Sequence, residues 1–162
     1  MHEEDCIALL VRAGCSEDVI AHCRVVRDLA LTYTSDPMIV DRDLVEAGAL
    51  LHDIGRGVTH DLRHAEVGAE LCRSFGLDEA IAAIVERHIG AGLTADECSL
   101  LGLTPCDRMP RTPEEKIVAH ADNLVKGTRI ITIEERLARS IALPRRQRER
   151  MYRLALEVEA FR

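Results

Sequence analysis

Six residues of chemically capable type stand where amphipathic helices would otherwise carry apolar side chains: His22, His52, Asp53, His64, His88 and Asp122. His22 falls between Val19 and Val26 on one stripe, and His52 lies at the edge of the stripe formed by Leu44, Val45, Gly48 and Leu51. His64 precedes Val67 and Gly68 by one turn, His88 follows Ile84 and Val85, and Asp122 follows Val118 by four. A lone inward histidine usually hydrogen-bonds a backbone carbonyl. Five segments that each send an imidazole or a carboxylate inward are another matter, because unpaired they would cost more than a small domain's stability margin. One or two divalent ions would neutralise the carboxylates and satisfy the imidazole lone pairs together, and mixed donors of this kind suit Mn, Fe, Co, Ni, Zn or Mg. Such ions lower the pKa of water towards neutrality and offset charge on a phosphoryl oxygen, so the chemistry implied is hydrolysis of a phosphate ester by metal-activated hydroxide.

The elements that must position these residues read as helices throughout. Acids at Glu3, Glu4 and Asp5 open a first helix that stops at Gly14, and Ser16 caps a longer one from about 17 to 34, ended by Asp36-Pro37. Asp41 or Asp43 caps a helix over about 41 to 53, with Gly55 as its left-handed C-terminal cap in the plainest reading. Further helices are expected over 64 to 74, from Asp78 to His88, and for one or two turns after the capping box Thr94-x-x-Glu97. Thr112-Pro113-Glu114-Glu115 is a strong start for the helix that carries Asp122, and two more helices follow at about 134 to 142 and 145 to 161. No strand-like alternation and no internal repeat appears. The expectation is an all-α domain of six to eight helices over residues 1–162, with a metal-binding core at about 16–129 and C-terminal helices at about 134–161.

Composition narrows the class. Hydrophobic residues make up 47% of the 162, charged residues 30% and aromatics only 2%, so the core is built from aliphatic side chains, which suits helices better than sheets. No apolar run is long enough to span a bilayer and no signal segment is visible, so the cytoplasm is the expected location. The six cysteines show no C-x-x-C pairing and read as small core or surface residues. A net charge of −7 argues against extended nucleic-acid binding, although Arg145, Arg146, Arg148, Arg150 and Arg153 crowd the last helix, a face that suits solvent or a homo-oligomer contact.

The order H…HD…H…H…D, with the doublet written His52-Asp53-Ile54-Gly55, resembles the HD-domain metal-dependent phosphohydrolases of the HDIG subgroup. The resemblance covers residues 16 to about 129, and the stretch from Leu103 to Asn123 is similar to small stand-alone HDIG proteins common in archaea. It implies an HD-domain helical bundle in which His22, His52, Asp53 and Asp122 bind a first metal. His64 and His88, with Asp53 bridging, would hold a second. His60 rivals His64, since both follow the doublet within a short turn, and His64 is preferred because it opens a helix with an apolar inner face. His120 points away from the stripe that carries Asp122, beside Lys116 and Asn123, and neither it nor His2 is given a role.

Phosphate also needs cations. Arg56, directly after the doublet's turn, is expected to contact it, which makes Asp53 and Arg56 the expected catalytic pair. Lys126 and Arg129 would lie one and two turns beyond Asp122 if that helix continues through Gly127, where they serve either substrate phosphate or the helix C-terminus. Arg108 and Arg111 sit in an irregular loop and would form a lid or be exposed. The expected substrate is a small phosphorylated molecule, a nucleotide by default, cleaved as a phosphatase or phosphodiesterase would; only Tyr33, Tyr152, Phe75 and Phe161 are available to stack on a base. The alternatives are a di-iron oxygenase and a catalytically silent metal-binding regulatory module.

Overall fold

The computed structural model describes residues 1–162. The chain forms nine α-helices: α1 (Glu3–Arg12), α2 (Glu17–Ala30), α3 (Arg42–Leu51), α4 (His64–Ser74), α5 (Glu79–Glu86), α6 (Ala95–Leu100), α7 (Pro113–Asn123), α8 (Ile133–Arg139) and α9 (Arg145–Glu159). The number exceeds six to eight because α6 and α8 are complete helices of only six and seven residues. Side chains of Ser16, Asp41, Asp78, Thr94 and Thr112 each accept a hydrogen bond from a first-turn amide of the helix they open.

Helix α3 lies at the centre. Its Val45 and Ala49 join one apolar cluster with Val26, Ile117, Val118, Met151 and Leu154, drawn from α2, α7 and α9. Its Ala47, Leu50 and Leu51 join a second with Leu10, Ile20, Ala69, Ile81 and Val85, from α1, α2, α4 and α5. The C-terminal end of α3, where His52 and Asp53 follow, is therefore held by both clusters. Helix α7 is buried on nearly every side, including His120, which the amphipathic pattern had turned away from the core.

Two expectations about chain reversals are corrected. Helix α7 stops at Asn123, and a two-stranded antiparallel hairpin follows, β1 (Val125–Lys126) and β2 (Arg129–Ile130), paired Val125 to Ile130 and Lys126 to Arg129. Gly127, at φ +61°, takes the left-handed conformation that the first residue of a tight hairpin turn requires. Gly55 has no positive φ and is not a left-handed cap. It sits in a 3-10 turn (Ile54–Gly57) pressed so closely on α4 that a β-carbon there would lie 1.8 Å from the carbonyl oxygen of His64.

Candidate metal centre

The six inward residues converge. Asp53 stands between two groups, one of its oxygens facing each. Oδ2 lies 3.8 Å from His22 Nε2 and 3.6 Å from His52 Nε2, while Asp122 Oδ1 lies 3.0 Å and 3.4 Å from the same two nitrogens. On the other side, Asp53 Oδ1 lies 3.2 Å from His64 Nε2 and 3.5 Å from His88 Nε2, and those two nitrogens are 3.1 Å apart. His60, the rival of His64, is exposed and offers the cluster nothing; only its carbonyl is used, as an acceptor for Arg56 Nη1 at 3.1 Å.

The backbone fixes how each imidazole is presented. His22 Nδ1 contacts the carbonyl of Gly127 at 2.7 Å, His52 Nδ1 that of Ala49 at 2.7 Å, His64 Nδ1 that of Asp61 at 2.8 Å and His88 Nδ1 that of Val85 at 2.7 Å. A carbonyl can only accept, so every Nδ1 carries the hydrogen and every Nε2 of the neutral ring turns a lone pair inward. The hairpin after α7 thus has a purpose: its turn delivers the carbonyl that orients His22, and α7 must end for that turn to form.

Four lone pairs and two carboxylates facing one another repel unless a cation or protons lie between them. His52 Nε2, fully buried, has no hydrogen-bond partner at all. Around an octahedral ion with bonds of about 2.1 Å, neighbouring donors sit about 3.0 Å apart, close to the spacings here. By both criteria the donor set fits a divalent ion, and three overlapping triads could hold one: His22, His52 and Asp53; His52, His88 and Asp122; Asp53, His64 and His88.

The electrostatics agree. Burial opposes ionisation of Asp53, but the imidazoles of His52, His64 and His88 packed against it outweigh burial and hold the carboxyl well below its ordinary range. Asp122 is likewise held low despite burial, by His52 and His22. Burial, reinforced by the neighbouring His52 and His64, brings His88 below the ordinary imidazole value, whereas at His52 the carboxylates of Asp53 and Asp122 overcome burial and push it well above. His52 must surrender that proton to act as a ligand. Metal addition to the metal-free protein at pH 7 is therefore expected to release about one proton, read by calorimetry in buffers of different ionisation enthalpy, with release fading as the pH rises past the elevated His52 value. Binding without proton release at pH 7 would contradict a protonated His52.

A cavity of about 580 Å³ opens onto His22, Asp53 and Asp122 and is flanked by Arg56, Lys126, Arg136 and Arg139. Arg56 Nε lies 3.1 Å from Asp53 Oδ2, so this cation is poised directly over the shared carboxylate. Lys126 reaches the cavity from β1 rather than from a continued α7. Arg129 does not line it: it is exposed on β2 and pairs with Glu135. Arg108 is no lid, being buried against the Glu66 carboxylate and the carbonyl of Thr104, and Arg111 pairs with Asp107 at the surface. Sequence reasoning missed Arg136 and Arg139. Their i, i+3 spacing places them on one side of α8, but only the tertiary fold brings that side to the cavity.

Comparison with known proteins fits this arrangement. The family model described as the HD domain matches residues 19–127. An uncharacterized protein of Methanocaldococcus jannaschii is 52% identical over 125 residues, 75% of this chain and 74% of that protein. The tRNA (cytidine(56)-2'-O)-methyltransferase of Picrophilus torridus is 46% identical over 133 residues, but the matched part is 39% of its length. Ribonuclease Y of Thermotoga maritima is 32% identical over 118 residues, a match to 20% of its length. Among solved structures, the HD domain of the phosphodiesterase PgpH of L. monocytogenes aligns with a TM-score of 0.49 at 15% identity, over 91% of this chain and 95% of that one. The matched span 19–127 is about two thirds of the chain and contains all six donors, from His22 to Asp122: the chain belongs to the HD-domain family.

Proposed function

We propose that the chain is a metal-dependent phosphohydrolase that cleaves a phosphomonoester or phosphodiester of a nucleotide. The observation that carries this reading is the convergence of four Nε2 lone pairs and two carboxylates beneath a cavity flanked by cations. In it, His22, His52, Asp53 and Asp122 hold one divalent ion, and His64, His88 and Asp53 hold a second. A bound divalent ion supplies positive charge for the phosphoryl oxygens and a nucleophile at neutral pH. The chain's own groups do the rest. Asp53 ties the two halves of the centre together, Arg56 and Lys126 orient the phosphate, and the backbone carbonyls at Gly127, Ala49, Asp61 and Val85 keep the imidazoles from turning.

A cavity flanked by four cations suits an anionic ester better than a neutral polyol. Relatives named for acting on RNA, the tRNA methyltransferase and Ribonuclease Y, support a nucleotide phosphate, although each is much longer than its matched part. The test is a screen of bis(p-nitrophenyl) phosphate and nucleotides with several divalent metals. Turnover with at least one metal, stopped by chelation, is the expected result; metal binding without hydrolysis of any ester would overturn the reading.

A further inference from the structure

Beside the metal-centre cavity lies another of about 670 Å³, with an apolar wall that includes Leu93, Leu100, Leu101, Leu143 and Met151, the backbone of Gly90 to Gly92 at its edge, and charged side chains, Arg146 and Arg150 among them, along its rim. One residue lines both cavities, Arg136 of α8. Its bonding distinguishes it from the other arginines nearby. Arg129 and Arg139 both pair with Glu135, and Arg150 pairs with Glu97. Four arginines have a buried Nε without a hydrogen-bond partner: Arg87, Arg108, Arg136 and Arg150. Three of them place other guanidinium nitrogens on a carboxylate, Glu115, Glu66 and Glu97 respectively. Arg136 alone has none, although it is only partly exposed.

The Nε of Arg136 is buried without an acceptor while the residue as a whole reaches both cavities, and an anionic ligand would supply the counter-charge that the fold does not. The surroundings are set for one. Segment 126–153 carries nine basic residues (Lys126 and Arg129, 136, 139, 145, 146, 148, 150 and 153) against three acidic ones (Glu134, Glu135 and Glu149), in a chain whose net charge is −7. Arg136 therefore stands where the metal-centre cavity and the apolar cavity adjoin.

We propose that Arg136 marks a second anion subsite, and that the substrate is a phosphodiester of at least two nucleotides, with one phosphate at the metal centre, a second on Arg136 and a nucleoside in the apolar cavity beyond. This assignment rests on the phosphohydrolase reading for the scissile phosphate. The cavity's polar edge, with Thr94, Asp96 and Gln147, supplies the hydrogen-bonding groups that a base needs and an acyl chain does not.

The test is equilibrium binding by calorimetry to Ca²⁺-loaded protein, comparing pApA, which has two phosphates, with ApA, which has one, and with dodecyl phosphate. The unaltered protein is expected to prefer pApA over ApA by about tenfold or more, the usual worth of a charge-assisted contact. Arg136→Gln, which keeps most of the side chain's packing, removes that preference, and Arg136→Lys restores part of it. Equal binding of pApA and ApA, or a preference that survives in Arg136→Gln, overturns the subsite. Tighter binding of dodecyl phosphate than of pApA overturns the nucleoside assignment in favour of an acyl chain. Hydrolysis of bis(p-nitrophenyl) phosphate, measured in parallel, reports on the metal centre independently, so a subsite that binds pApA in a protein that hydrolyses nothing leaves the Arg136 anion subsite standing as a binding site and removes the hydrolase reading.

Discussion

Replacing Asp53 with alanine or asparagine is expected to lower hydrolysis of bis(p-nitrophenyl) phosphate by about 10³-fold or more, the equivalent of the several kcal/mol that metal-supplied charge contributes. The size follows from geometry. Asp53 is the residue whose two oxygens face both donor groups, Oδ2 towards His22 and His52 and Oδ1 towards His64 and His88. No other side chain in the cavity could take that place, and its loss also frees Arg56, which it holds at 3.1 Å. Asp53→Asn keeps the shape but lowers the charge, so it separates electrostatics from packing. Both variants are expected to retain a helical circular dichroism spectrum, because the two apolar clusters that hold α3 do not include this side chain. A folded Asp53→Asn with undiminished hydrolysis would remove Asp53 from the reaction.

The second large effect is expected at a position that bears no chemistry. In Gly55→Ala, the new methyl would lie 1.8 Å from the His64 carbonyl oxygen, 2.7 Å from its carbon and 2.8 Å from the amide nitrogen of Gly68. These are backbone atoms, so no rotamer change relieves the clash and the 3-10 turn must move off α4. A cost of about 3 kcal/mol or more is expected, lowering Tm by about 6–12 °C. Because Asp53 precedes that turn and His64 begins α4, metal affinity falls as well. Gly76→Ala is the control: its φ is +74° but nothing lies within 4 Å, so the strain is local, about 1–2 kcal/mol. Thermal melts and metal titrations read both variants, and equal losses in the two would contradict the close-approach account of Gly55.

The six donors were legible because each sits on or beside an apolar stripe, a conflict visible in sequence once helical spacing is assumed. The caps at Ser16, Asp78, Thr94 and Thr112 were legible for a related reason, since capping is settled within four residues. What escaped depends on contacts between distant segments. The hairpin at 125–130 has strands of two residues, too short for any alternation to register, and Gly127 read as an interruption of a helix rather than as its end. His120 was misplaced because α7 is enclosed on nearly all sides, so a helix expected to have an outer face has almost none. Arg108 looked like a loop cation and is an internal strut, which depends on Glu66 some forty residues away. Arg136 carried no local signal whatever; its meaning lies in which carboxylates fail to reach it.

All of this depends on cations sitting among the Nε2 atoms and the two carboxylates. Crystals grown with Mn²⁺ and measured at its absorption edge test that most directly. The account predicts anomalous density within about 2.2 Å of donors on both sides of Asp53, one peak among His22, His52 and Asp122 and another beside His64 and His88. Anomalous density only elsewhere on the molecule, with these six side chains as close together as they are here, would contradict it.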